Sequence, residues 1–224
     1  MSMYTTTKLA GLLMLAGLAA GLCSVAPEID MPGYLTEAGK APGRVIRAVV
    51  CQFILSLTYM GVAVLLYPQL ARFGGSLSVG FLGFRIVAVV LSVMGTVLLL
   101  ALLALSKAYL QYPWPALAVT GDILKVVRDQ LNHVFMVLTL CIGNVMLYVL
   151  LLRSGLVPSW LPVWGIVAAF LSMIASLLFL GQYTGIATPL YLALNVPAAL
   201  LELVLGLWLI CMRVGGIVKT IDGP

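Results

Sequence analysis

Charge is what this chain has least of. Asp, Glu, Lys and Arg make up 8% of its 224 residues, against about a quarter in soluble domains, so a water-facing surface cannot be built from it. Histidine occurs once, at His133, which leaves no second imidazole for a metal site, and no Ser-His-Asp arrangement is present. The four cysteines, Cys23, Cys51, Cys141 and Cys211, lie in or at the edge of apolar runs without C-x-x-C spacing and read as packing residues rather than as disulfides or zinc ligands. A phosphate-cradling glycine loop, H-E-x-x-H and a base-stacking aromatic pattern are all missing. The net charge of +5 is spread singly over the ends of apolar runs, which argues against nucleic acid as a partner and marks these charges as topology signals. No catalytic set, metal site or cofactor is predicted.

What is present is apolar length. Hydrophobic residues form 63% of the chain and its mean hydropathy is +1.17. The expected fold is all-α, a six-helix transmembrane bundle without a soluble domain, in a single integral membrane domain over 1–224. Its spans fall at about 9–25, 45–67, 82–106, 132–152, 162–181 and 189–212. Membrane lipids are then the first partners; nothing in the chain sets an oligomeric state.

Lys8 followed by Leu9 to Val25 resembles a signal peptide, but Pro27 follows the small-residue site at Ser24-Val25-Ala26, so the segment reads as a retained first helix. Its Gly11, Gly17 and Gly21 allow a neighbouring helix to approach closely. Pro27 to Gly43 reads as a polar loop, and Pro68 as the end of the second span. Within that span Gln52, Ser56, Tyr59 and Ala63 form a polar or small stripe. Arg85, three residues into the third span, is expected to snorkel to the interface. Tyr109, Tyr112 and Trp114 look like an interfacial belt. From Asp122 the chain turns helical, with Ile123, Val127 and Leu131 on one face and Lys125 paired with Asp129 on another. Arg153, Gly155 and Pro158 stop the fourth span.

The last span, Pro189 to Met212, carries Asn195, Pro197 and Glu202. A carboxylate near the bilayer centre costs roughly 2.5 to 3.5 kcal/mol on insertion scales, so Glu202 marks a candidate site. Counted from the loop-side ends at a rise of ~1.5 Å per residue, Tyr59, Ser92, Asn144 and Glu202 share a level near ~18 to 21 Å, Gln52 and Asn195 one near ~10 Å, and His133 sits at the boundary. These seven are the candidate ligand-binding residues. With no basic residue assigned to its level, Glu202 is expected to be protonated or hydrogen-bonded, with Tyr59 and Asn144 as partners. Matching depth suggests that the last helix packs against the second and fourth spans, and Pro197 is expected to kink it by more than about 20°. Three function classes stay open. A protein that binds or moves a small molecule, lipid or ion comes first, a structural or regulatory bundle second, and an intramembrane enzyme using Glu202 last.

Orientation is nearly balanced. Lys8, Arg72, Arg85, Arg153, Arg213 and Lys219 fall on the terminus side, and Lys40, Arg44, Arg47, Lys107, Lys125 and Arg128 on the other. Five of the seven acids share the second group's side, which favours cytoplasmic termini. The run Leu151-Leu-Arg-Ser-Gly-Leu-Val-Pro158 followed by Gly165, the opening Lys8-Leu-Ala-Gly-Leu-Leu, and Leu201-Glu202 with Leu207-Trp208-Leu209 together resemble the bacterial family called Domain of Unknown Function 4386. Phe135-Met136-Val137 stands where that family often has Phe-Phe-Gly. The resemblance implies a multi-pass inner-membrane protein and brings no activity, substrate or cofactor.

Overall fold

The computed structural model describes residues 3–211, and among these it contains helices and no strand. The first span is α1 (Met3–Cys23). Two short helices follow, α2 (Pro27–Asp30) and α3 (Tyr34–Lys40), then the long α4 (Pro42–Leu70) and α5 (Gly75–Gln111). The fourth span is one rod built from α6 (Pro115–Gln130), a π-helical turn over Leu131–Phe135 and α7 (Met136–Ser154). The spans α8 (Trp160–Leu180) and α9 (Pro189–Cys211) complete the chain. Six of these helical segments are long and apolar enough to cross a membrane.

Three segments differ from the sequence reading. Pro68 lies within the last turn of α4, where it removes one backbone bond without ending the helix, which continues to Leu70 before a 3₁₀ turn at Ala71–Phe73. The third span begins at Gly75 rather than Leu82, so Arg85 stands ten residues inside it. The 27–43 segment is a packed cap and not an open loop. Ile29, Tyr34 and Ala38 bury against Val45, Ala48, Leu99 and Leu102. The Gly39 N–H donates to Ser106 Oγ at 2.7 Å, and that hydroxyl donates to the Leu35 carbonyl at 2.6 Å.

Charges pin the cap to α6. Arg128, 5% exposed, pairs with Asp30 and with Asp129, and Lys125 donates to the Asp30 carbonyl at 3.0 Å. The expected Lys125–Asp129 pair is therefore replaced, because Lys125 reaches across the cap to Asp30 while Asp129 pairs with its neighbour Arg128. The Tyr34 hydroxyl donates to Asp122 at 2.9 Å, and burial, aided by this carboxylate, pushes the phenol above its usual range. The face with Ile123 and Val127 points outward while Gly121 and Arg128 point inward, which suits a helix whose outer surroundings are apolar.

The six spans close a ring. Each packs principally on its neighbours in chain order, α1 on α4, α4 on α5, α5 on α7, α7 on α8 and α8 on α9, and α9 returns to α1. This corrects the expected packing of the last helix: its partners are the first and fifth spans, not the second and fourth. Small residues decide the closure. A methyl at Gly11 would lie 2.6 Å from the Gly206 carbonyl oxygen, so the α1 and α9 backbones are already in contact. Nearer the cap α1 leans instead on α4, where a methyl at Gly17 would lie 2.7 Å from Thr58 Oγ1. Because a backbone carbonyl cannot rotate away, Gly11→Ala should part the two helices and lower stability by about 1 to 3 kcal/mol, read as a fall in melting temperature of the detergent-solubilised protein. An unchanged melting temperature would mean that the crossing is not close-packed.

The end of α7 accounts for part of the sequence pattern. Gly155 takes a left-handed conformation at φ 62°, the Ser154 hydroxyl donates to the Leu151 carbonyl at 3.0 Å, and the chain then turns through Pro158 into α8. Gly165 leaves room for the Tyr148 ring, from which a methyl would lie only 2.7 Å away.

Candidate functional site

A cavity of about 300 Å³ lies inside the ring and is lined from all six spans. Nine to eleven residues separate Tyr59, Arg85, Asn144 and Glu202 from the terminus-side ends of their helices, Leu70, Gly75, Ser154 and Cys211. At 1.5 Å per residue all four stand about 14 to 17 Å above those ends, in one layer of the cavity wall. Ser172, Asn195, Cys141 and Tyr148 line the same space. The rest of the wall is apolar, and the cavity reaches the surface at Leu22, which lines it and is 73% exposed.

Arg85 does not snorkel. It is 5% exposed, its guanidinium donates to Asn144 Oδ1 at 2.7 Å, and it lies 5.1 Å from the centre of the Tyr59 ring and 5.4 Å from that of Phe81. The seven extra residues of helix before Leu82 carry it about two turns deeper than the apolar run implied. A basic residue therefore does share the level of Glu202. Tyr59 and Asn144, expected as partners of the acid, are both engaged with Arg85. Glu202 makes no hydrogen bond and no ion pair within 4.0 Å to any described residue, and it faces the cavity. An acidic and a basic side chain thus line one internal space without touching.

Ser92 belongs elsewhere. It stands two turns beyond Arg85 and joins a separate buried network, in which Ser56 Oγ donates to Ser92 Oγ at 2.9 Å and Gln52 Nε2 donates to the Ser92 carbonyl and to Asn132 Oδ1, both at 3.3 Å. Gln52 is thereby drawn into a knot between α4, α5 and the π turn, away from the cavity wall. Asn195 does line the cavity, but its amide donates to the Tyr191 carbonyl at 2.9 Å within its own helix. α9 continues as a helix through Pro197, with cavity beside Asn195, Ala198 and Ala199. His133 Nδ1 lies 3.3 Å from the Tyr191 hydroxyl, and Phe179 meets both rings edge-on, so the histidine joins an aromatic cluster that is not part of the cavity lining rather than pairing with Glu202.

The residues that sequence reasoning missed were Arg85, Cys141, Tyr148 and Ser172. The available signal for Arg85 was Gly74-Gly75 as a helix start, which an apolar-run reading passes over. With Arg85 inside the bundle it leaves the charge tally for topology, in which Arg213 and Lys219, like Met212 at the end of the last span, lie outside the described residues.

Fold and site together define a multi-pass, six-helix membrane bundle with a polar layer around an internal cavity. The chain belongs to the family described as Domain of unknown function (DUF4386), whose model matches residues 9–212. No curated protein and no solved structure matches it.

Proposed function

We propose that this protein binds, and moves across or within the membrane, a small molecule or ion held in the ring cavity beside Glu202 and Arg85. The observation that carries this reading is the carboxylate of Glu202, which costs free energy to place at this depth and yet uses none of its capacity on a described side chain. A group kept in that condition is available to a cation, a proton or the charged end of a ligand. Its apolar surroundings raise the strength of any such contact above its value in water. A bacterial inner membrane with both termini in the cytoplasm is the setting the sequence favours. A second reading, a structural bundle without ligand, is supported by the Arg85–Asn144 bond, which ties α5 to α7 and would serve packing alone.

Glu202→Gln separates them, since the amide keeps the shape of the acid and cannot ionise. Melting of purified wild type and variant is followed from pH 5 to pH 9, with and without lipids and monovalent and divalent cations. For a binding site, wild type should be stabilised by at least one addition by several degrees, and the variant should fold and lose that response. Identical melting of the two proteins under every condition would favour the structural bundle.

A further inference from the structure

We propose, building on the binding-site reading above, that the cavity takes a small zwitterion with an apolar body, its anionic group on Arg85 and its cationic group on Glu202. The guanidinium carries five N–H donors, and among the described residues its one hydrogen bond goes to Asn144 Oδ1. The donors that remain are not sealed against protein without partners, as the Nε of Arg128 is; they open on the cavity that Arg85 lines. The carboxylate of Glu202 opens on the same cavity from α9, farther than 4.0 Å from the guanidinium. The two charges are therefore separated by ligand-accessible space.

That spacing selects among ligand charges. A simple cation satisfies Glu202 and is repelled by Arg85, and a simple anion meets the reverse. A neutral molecule leaves both buried charges without a partner, which is costly in an apolar interior. A zwitterion answers both and brings no net charge into the membrane. Met14, Val62, Leu140 and Ala198 in the walls would take an aliphatic body, and about 300 Å³ lies at the small end of ligand pockets, which suits a molecule of amino-acid size. Asn144 and Tyr59, in the same wall, hold the guanidinium in place, so it is oriented before the ligand arrives.

Binding is measured by calorimetric titration of the full chain in a non-ionic detergent. Three probes share one branched aliphatic body: leucine, the amine-only 3-methylbutylamine and the acid-only 4-methylpentanoate. Glycerophosphocholine, the head of a zwitterionic lipid without its tails, distinguishes a lipid source from a free metabolite. Wild type should bind leucine or glycerophosphocholine at least about tenfold more tightly than either single-charge probe. In Glu202→Gln the advantage over 4-methylpentanoate should vanish, and in Arg85→Gln the advantage over 3-methylbutylamine. If Arg85→Gln fails to fold, the comparison within wild type and the Glu202→Gln arm still decide. The proposal is overturned if the amine-only probe binds wild type as tightly as leucine, or if neither zwitterion binds. A cation- or proton-dependent stabilisation that persists in those cases, and is lost in Glu202→Gln, would leave the Glu202 site standing and remove only its second, anion-binding half.

Discussion

Replacing Gly95 with alanine should destabilise the bundle by about 2 to 6 kcal/mol, the largest loss expected from adding one methyl group at any described glycine. A Cβ on Gly95 would stand 2.0 Å from Asn132 Oδ1, well inside contact distance. Asn132 is 5% exposed and cannot swing into solvent, so it must either push α5 away from the π turn or abandon its bond from Gln52. Overpacking a closed core costs about 1 to 3 kcal/mol, and stranding a buried amide adds about 1 to 3 more. Because the Gln52, Ser56, Ser92 and Asn132 side chains bond one another across three segments, disturbing one member disturbs all of them. The check is chemical or thermal unfolding of purified Gly95→Ala beside Gly83→Ala, a control position where a methyl meets nothing within 4 Å. Equal stability of the two variants would show that the network tolerates the shift.

Arg85→Met should cost about 3 to 5 kcal/mol, the usual penalty for removing one side of a buried charge arrangement. The loss has three parts: Asn144 Oδ1 is left without its donor, the guanidinium leaves the Tyr59 and Phe81 rings, and Glu202 loses the one cation that the described residues place on its level. Glu202→Gln alone should cost much less, since the acid holds no hydrogen bond or ion pair with a described residue for the change to remove. The decisive measurement is the double variant. If Arg85 and Glu202 balance each other through the cavity, Arg85→Met with Glu202→Gln should be more stable than Arg85→Met alone, because no uncompensated charge remains. Additive losses in that cycle would show that the two charges do not sense each other.

Both expectations depend on residues that the sequence displayed but did not bring together. Gly95 and Asn132 are 37 positions apart, and neither shows in isolation that one occupies the space a side chain on the other would need. Ser92 sat at the right depth to join Glu202 by counting from the end of an apolar run. It joins Gln52 instead, because the register of α5 is set by where the helix begins and by what its neighbours carry, not by where hydropathy rises.

Composition determined that this is a membrane protein, and the length of its apolar runs that it is all-α, since a run of about twenty apolar residues crosses a bilayer as a helix that bonds within itself. Sequence also determined six spans, the stop at Gly155, and the common level of Tyr59, Asn144 and Glu202, because a constant rise per residue converts position into depth. Rise says nothing about azimuth or neighbours. The ring closed by Gly11 against Gly206, the cap pinned by Arg128 to Asp30, and the burial of Arg85 opposite Glu202 were decided by tertiary structure alone. Each depends on which helix faces match, and that is fixed by packing between segments far apart in the chain.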